Sequence, residues 1–435
     1  MKFFKYDVAI IGGGCSGLMT AAAIVKNDKK LKVVILEKNA KVGRKLLATG
    51  NGRGNLSNQH IAEPFYFGSC AKYVRSMWKV YDCNFIRRYF SDLGLFTVSD
   101  SEGRIYPLSN NVSSVLDCMR NYYRQFGNVD ELCNTVVENI IIDNNVCLLE
   151  CIGTDNEKIR ISAKYAVISC GGKASPKLST DGLGYTLLNQ LKIRTSALYP
   201  SLVPIICNDK LLHFLKGVRM KGGVSLVIDG RIVAAEQGEI QFNEKSLSGI
   251  CIFQLSGYIN KCFAEGKKNG IKIILDILPQ FSEKEVSDFI SERIKQFGKY
   301  PLENLFDGLL HKKVALSLYR KCGIINLERT SADLSKKERD WLCTTLKKWE
   351  FIPTQASSFE NAQITAGGIL PDEIDFSHMQ SRKYRNLYFC GEIIDIDGLC
   401  GGYNLHWAWC SAIIVANAIS GRGFASAPHK GTLSP

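Results

Sequence analysis

The chain has 435 residues, 46% of them hydrophobic and 22% charged, with a formal net charge of +13. That length exceeds one ordinary core, so two or three domains are expected, and the balance is globular, with no disordered, low-complexity or repeated segment. The basic residues are spread rather than clustered, which disfavours nucleic acid, and the 16 Cys form no CxxC and sit in apolar runs like the reduced thiols of a cytoplasmic protein; with six scattered His they make no metal site.

The first residues, "MKFFKYDVAIIGGGCSGLMTAAAIV", imitate a signal peptide. Asp7 and the glycines interrupt the apolar run and a strand follows at once, so no membrane span is expected. Tyr6 to Ile11 reads as a buried parallel strand. Gly12-Gly13-Gly14-Cys15-Ser16-Gly17 is a GxGxxG, followed by an alanine-rich helix, the strand "KVVIL" and Glu37. This is a complete βαβ unit. Gly12 permits the tight turn, Gly14 lets backbone approach a pyrophosphate, and Gly17 lets helix and strand pack closely. The helix start, with Cys15 and Ser16, offers free N–H groups to phosphate. Glu37, beside Lys38, can accept both hydroxyls of an adenosine ribose and repels a 2′-phosphate. The dinucleotide is therefore FAD or NAD rather than NADP.

The next stretch, "KVGRKLLATGNGRGNLSN", tilts the choice to FAD. Arg44, Lys45 and Arg53 can neutralise phosphate, and Asn51, Asn55 and Asn58 can read the amide-like edge of a flavin. A long irregular segment behind a ribose acid is more often functional than a solvated loop. Further on come a helical stretch, a strand meander and the strand "YAVISC" ending in Gly171-Gly172. The chain then turns β-rich, then helical. Near the end, "LYFCGE" and "CGGYNLHWAWCSAIIVANAI" read as a strand and a second glycine turn opening an apolar helix.

These blocks, with "GRIYPLS" and "AQITAGGI", resemble the BaiN/RdsA-like NAD(P)/FAD-dependent flavoproteins, also called aminoacetone-oxidase-like, of the two-dinucleotide-binding-domain superfamily. The chain departs from the family pattern at Gly54, where the family places Cys, and at His406, where it places Gln. The resemblance implies an α/β fold: a discontinuous Rossmann-type FAD-binding domain with an inserted small β-barrel and helical subdomain. Its parts are expected at 1–195 and 356–435, the barrel at 196–248 and 320–355, and the helical subdomain at 249–319. It further implies that Val137 touches adenine through its backbone, that Gly171 lines the cofactor, and that Glu392 holds the ribityl chain. Gly402, Tyr403, Asn404 and Leu405 would open a helix toward the flavin pyrimidine edge, where its dipole stabilises the charge of reduced flavin.

No second GxGxxG occurs, so NADH or NADPH is expected as a transient electron donor. The implied reaction is saturation of a C=C conjugated to a ketone in a flat, anionic small molecule, with a 3-oxo-4,6-diene bile acid as the reference steroid acid. Tyr403 and His406 are the candidate proton donors, and Arg53 and Asn404 the candidates to tune the ring. Trp407 and Trp409 read as core. An FAD-dependent amine or aminoketone oxidase, an FAD-dependent tRNA-modification protein and a flavin-stabilised binding protein stand as alternatives. No residue pattern specifies an oligomeric state.

Overall fold

The computed structural model describes residues 1–143, 146–178 and 180–422; residues 423–435 of the expected second FAD segment lie outside the described residues. The chain forms two compact units, residues 1–198 with 364–435 and residues 199–363.

In the first unit, β1 (Lys2–Ile11) leads through a glycine turn to α1 (Cys15–Asn27) and on to β2 (Val33–Leu36). Val8 to Ile10 and Val33 to Ile35 have no exposed surface, as continuous apolar strands covered on both faces should. The parallel neighbours are completed by β3 (Val129–Leu132), β4 (Lys158–Ile168) and β5 (Leu387–Phe389). Their order is β5-β4-β1-β2-β3, every pair parallel. The order reverses direction at β1, which is the switch point where open α/β sheets bind ligands at the carboxyl ends of their strands. Antiparallel strands extend the sheet: 146–152 pairs with β4, and 136–143 pairs with 146–152.

The last strand, β5, is thus two places from β1 although 376 residues separate their ends. Beyond it runs α2 (Tyr403–Ile419), apolar on every side and buried from Trp407 to Ala416. A helix without a polar face belongs inside a core. It packs on α1, whose alanines permit close approach, and the pair is pinned by Asn27 Nδ2 donating to Asn417 Oδ1 at 2.9 Å. Trp407 Nε1 donates to the Gly391 carbonyl (3.1 Å) and Trp409 Nε1 to the Leu56 carbonyl (3.0 Å), so both indoles are satisfied core groups.

The second unit holds its own core around a six-stranded antiparallel sheet. Its strand order is 205–206, 246–248, 231–242, 219–228, 271–276 and 349–351. An isolated bridge between Cys207 and Pro353 joins its two edges. Helices Ile250–Ala264, Glu283–Phe297, Lys312–Lys321 and Lys336–Lys347 belong to the same unit. Two details depart from the expected partition. Ile271–Asp276, inside the segment expected to be helical, is a strand, and Lys336–Lys347, inside the expected return of the barrel, is a helix. "IKIILD" buries every second residue, the period of a strand, and Ser335 and Glu338 form a capping box that starts the helix.

Candidate active site

The three glycines of the first turn meet three different constraints. Gly12 has φ +104°, and a Cβ there would lie 2.7 Å from the Ser169 carbonyl oxygen. A Cβ on Gly17 would run into the Gly12 carbonyl oxygen, so helix and strand touch there. Gly14 is the opposite case, with nothing within 4 Å of its Cβ position. It caps α1 with extended backbone and no side chain, so the first amides of α1 face an open cradle of the size a Cβ would begin to fill. Cys15 and Ser16 start that helix; burial pushes the Cys15 thiol up to about 11, so it stays a neutral thiol. Ser169 Oγ fixes the turn by donating to the Ile11 and Gly12 carbonyls, both at 3.0 Å.

Glu37 ends β2 nearly buried. Its Oε2 accepts the Gly13 amide at 2.9 Å and its Oε1 the Asn39 amide at 2.9 Å. The Asn39 side-chain amide also donates to Oε1, so Oε2, with one donor, keeps acceptor capacity for a diol hydroxyl. The Glu37 carbonyl accepts the Thr135 amide (2.9 Å), which brings the start of strand 136–143, with buried Val137, to the same end of the sheet.

The returning chain closes the other side. Gly391 (φ +78°) abuts Ser16, whose Oγ would be 2.6 Å from a Cβ. Glu392 Oε2 pairs with Lys45 Nζ at 2.8 Å, and Glu392 Oε1 accepts the Thr365 amide at 2.9 Å. Gly171 has φ +71°, and a Cβ on its neighbour Gly172 would lie 2.5 Å from Glu392 Oε1. The structure therefore brings together Gly12 to Gly17, Lys45, Gly171 and Glu392. Lys38 pairs with Asp181 at 2.5 Å. Arg44 is exposed at the start of a four-residue helix, and Arg53 lies over the Tyr106 ring, 4.7 Å from its centroid.

Gly402, with φ +104°, caps α2 without a side-chain partner, and the first helical bond runs from the His406 amide to the Gly402 carbonyl (3.0 Å). The amides of Tyr403, Asn404 and Leu405 precede that bond, so this is a second helix start with donors to spare. Asn55 Oδ1 is a buried acceptor with no donor among the described residues, and a Cβ on Gly402 would approach it to 2.8 Å. Gly54 next to it has φ +77° and would press a Cβ 2.9 Å from Val112, which leaves no room for a thiol.

Two expected roles change. His406 is not a proton donor to a bound molecule: it has no exposed surface. Its Nε2 donates to the Tyr81 carbonyl (2.9 Å) and its Nδ1 accepts from Ser57 Oγ (2.8 Å), an assignment the carbonyl dictates. Burial depresses its pKa to about 4, so the ring is neutral. Asn404 does not tune a ring with its amide. It clamps Gly398 instead, accepting from its N–H and donating to its carbonyl, both at 2.8 Å. Tyr403 is 6% exposed and packs edge-on to Tyr66, whose hydroxyl donates to the Tyr403 carbonyl; burial raises its phenol, which keeps its proton.

Asp397 was missed by sequence reasoning. It is buried, and desolvation, aided by Asp395 and Glu392, lifts its carboxyl to about 7. The signal was available in "IIDIDG", where acids alternate with isoleucines in an otherwise apolar run.

The residues fit an extended dinucleotide with a flavin: an open glycine cradle and a ribose acid at one end, an orphaned acceptor and spare helix amides at the other. The HI0933-like protein Rossmann domain model matches residues 6–418. The chain is 31% identical over 415 residues to the 3-dehydro-bile acid delta(4,6)-reductase of Clostridium scindens, covering 95% of this chain and 99% of that one. It is 26% identical to the ribosomal RNA dihydrouridine synthase of Haemophilus influenzae, covering 94% and 98% of the two chains. To the protein of the same description from Escherichia coli it is 24% identical, covering 94% and 96%. Among the described residues, no helix is long and apolar enough to cross a membrane. The chain belongs to the HI0933-like family and is an FAD-dependent oxidoreductase.

Proposed function

We propose that the protein is a reductase that saturates a C=C bond conjugated to a carbonyl, with FAD as resident cofactor, NADH or NADPH as donor and a 3-oxo-4,6-diene steroid acid as the reference substrate. The observation that carries this reading is the end-to-end match at 31% identity with a protein named for reduction of such a bond. Two further relatives are named for making dihydrouridine in ribosomal RNA. Dihydrouridine differs from uridine by hydrogenation of a C=C conjugated to a ring carbonyl, so both names describe one bond type. That favours the reaction class over the amine oxidase alternative, and it makes an rRNA uridine the second reading.

Bound flavin supplies the hydride in such a reaction. The chain's own part is binding and electrostatics. The α1 start and Gly14 take the pyrophosphate, Glu37 takes the ribose diol, and Glu392, held by Lys45, takes a ribityl hydroxyl. The spare amides at the start of α2 favour negative charge next to them. The test is anaerobic. NADH or NADPH should bleach the flavin of the purified protein, and a 3-oxo-4,6-diene steroid acid should restore its colour faster than buffer. Recolouring by uridine-bearing rRNA instead selects the second reading. Rapid recolouring by air with stoichiometric peroxide, and none by either acceptor, would overturn both.

A further inference from the structure

Glu392, Asp395 and Asp397 follow β5 in close succession, and the first two are provided for. Glu392 has Lys45 and the Thr365 amide. Asp395 Oδ2 accepts from Ser69 Oγ (2.6 Å) and Ser196 Oγ (3.0 Å). Asp397 is 7% exposed, and among the described residues its carboxyl has neither a cation nor a side-chain donor, only its own backbone amide. Its backbone is fixed in place. Asp397 pairs with Phe67 and Gly398 with Tyr66 in a short antiparallel ladder, and Asn404 grips Gly398 from the first turn of α2.

An ionised carboxylate in that position would be desolvated beside two other carboxylates with no cation of its own. The neutral acid avoids this, but it carries an O–H, and a buried donor needs an acceptor. Its own backbone amide, the hydrogen-bond partner it has among the described residues, is a donor and cannot accept from it. We propose that Asp397 is held as the neutral acid and donates a hydrogen bond to a carbonyl oxygen of the molecule bound at the start of α2. The oxygen belongs either to the flavin or to an unsaturated ketone beside it. The proposal rests on the FAD-dependent reading of this site.

The ionisable groups on the elements around Asp397 are few. From its own segment come Asp395, Glu392 with its Lys45, and Cys400. From strand 66–67 comes Tyr66, and from α2 come Tyr403, the neutral His406 and Cys410, whose thiol burial keeps protonated. The neighbouring strand Ile364–Ala366 brings no ionisable group. Burial raises both phenols, so neither ionises before Asp397 does. Raising the pH through its range, at about 7, turns the donor into a repelling carboxylate.

The test pairs wild type with Asp397→Asn, which keeps a donor and the shape but cannot ionise. In the first arm, FAD is titrated into apoprotein from about pH 5 to about pH 9. Wild-type affinity should fall roughly tenfold, the effect of one pKa unit of coupling, while the variant stays flat; this places the acceptor on the cofactor. In the second arm, a 3-oxo-4-ene steroid acid is titrated into oxidised holoprotein and read by the flavin absorbance. A pH dependence confined to this arm and to wild type places the acceptor on the ketone. Parallel profiles for wild type and variant in both arms overturn the proposal. Should FAD bind neither protein, the FAD reading fails. An infrared spectrum near neutral pH then decides the remainder: a carboxylic C=O band present in wild type and missing in Asp397→Asn supports the neutral acid, and its absence from wild type overturns it.

Discussion

His406 and Asp397 are buried groups whose protons move in opposite directions on folding. The imidazole has a folded pKa of about 4 against 6.5 when free, so folding expels its proton between those values. Stability from that site is present above the free pKa and is lost as pH falls toward 4. The Asp397 carboxyl has a folded pKa of about 7 against 3.8, so folding takes a proton up. Its stability is present below the free pKa and is lost as pH rises toward 7. Between about pH 4.5 and about pH 6 the proton counts cancel, and the pair leaves no net slope. Each single variant should unmask the other. Relative to wild type, Asp397→Asn should gain stability with rising pH and His406→Gln should lose it, each by about 1.4 kcal/mol per pH unit. Urea melts across that window measure both slopes. Two variants that run parallel to wild type would show that neither group titrates differently on folding.

At the scale of elements, the start of α1 separates packing from binding. Gly17 lets α1 touch β1, and Gly14 opens on empty space with φ −79°, which any residue adopts. Gly17→Ala should therefore cost about 1–3 kcal/mol through overpacking and lose FAD as well. Gly14→Ala should keep its melting temperature in apoprotein and lose FAD retention, because the methyl group fills the cradle alone. Thermal melts of apoprotein and flavin content after desalting tell these apart; a stability loss at Gly14 equal to that at Gly17 would refute the division. This unit was legible in the sequence because its constraints are local: strand, glycines, helix and acid lie within 37 residues. The roles of Asn404 and His406 were not. Asn404 is spent on a turn whose shape no local pattern announces. The partners of His406, Ser57 and Tyr81, stand 349 and 325 positions away. Ile271–Asp276 was hidden by the helical runs on either side of its short alternation.

For the molecule as a whole, the N-terminal and C-terminal motifs share one sheet, while the chain between them builds a separate core. The discontinuity was legible because a nucleotide-type turn stands near each end and none between. The sheet order inside 199–363 was not, because antiparallel pairing is set by contacts that composition does not encode. The buried set of the first unit includes Val8, Leu36, Phe389 and Trp409, and that of the second includes Phe242, Leu255, Leu318 and Trp349. A compact unit with its own core and closed strand edges should fold alone. Expressed by itself, 199–363 should give a cooperative thermal transition by circular dichroism and retain no FAD, since every residue assigned to the cofactor lies in the other unit. Full-length protein should show FAD-dependent stabilisation that grows with the logarithm of free FAD above its dissociation constant. The fragment's transition should not move when FAD is added. A fragment that melts without cooperativity would mean that its core depends on the rest of the chain. A fragment whose transition rises with FAD would place a cofactor contact inside 199–363 and overturn the assignment of the whole site to the first unit.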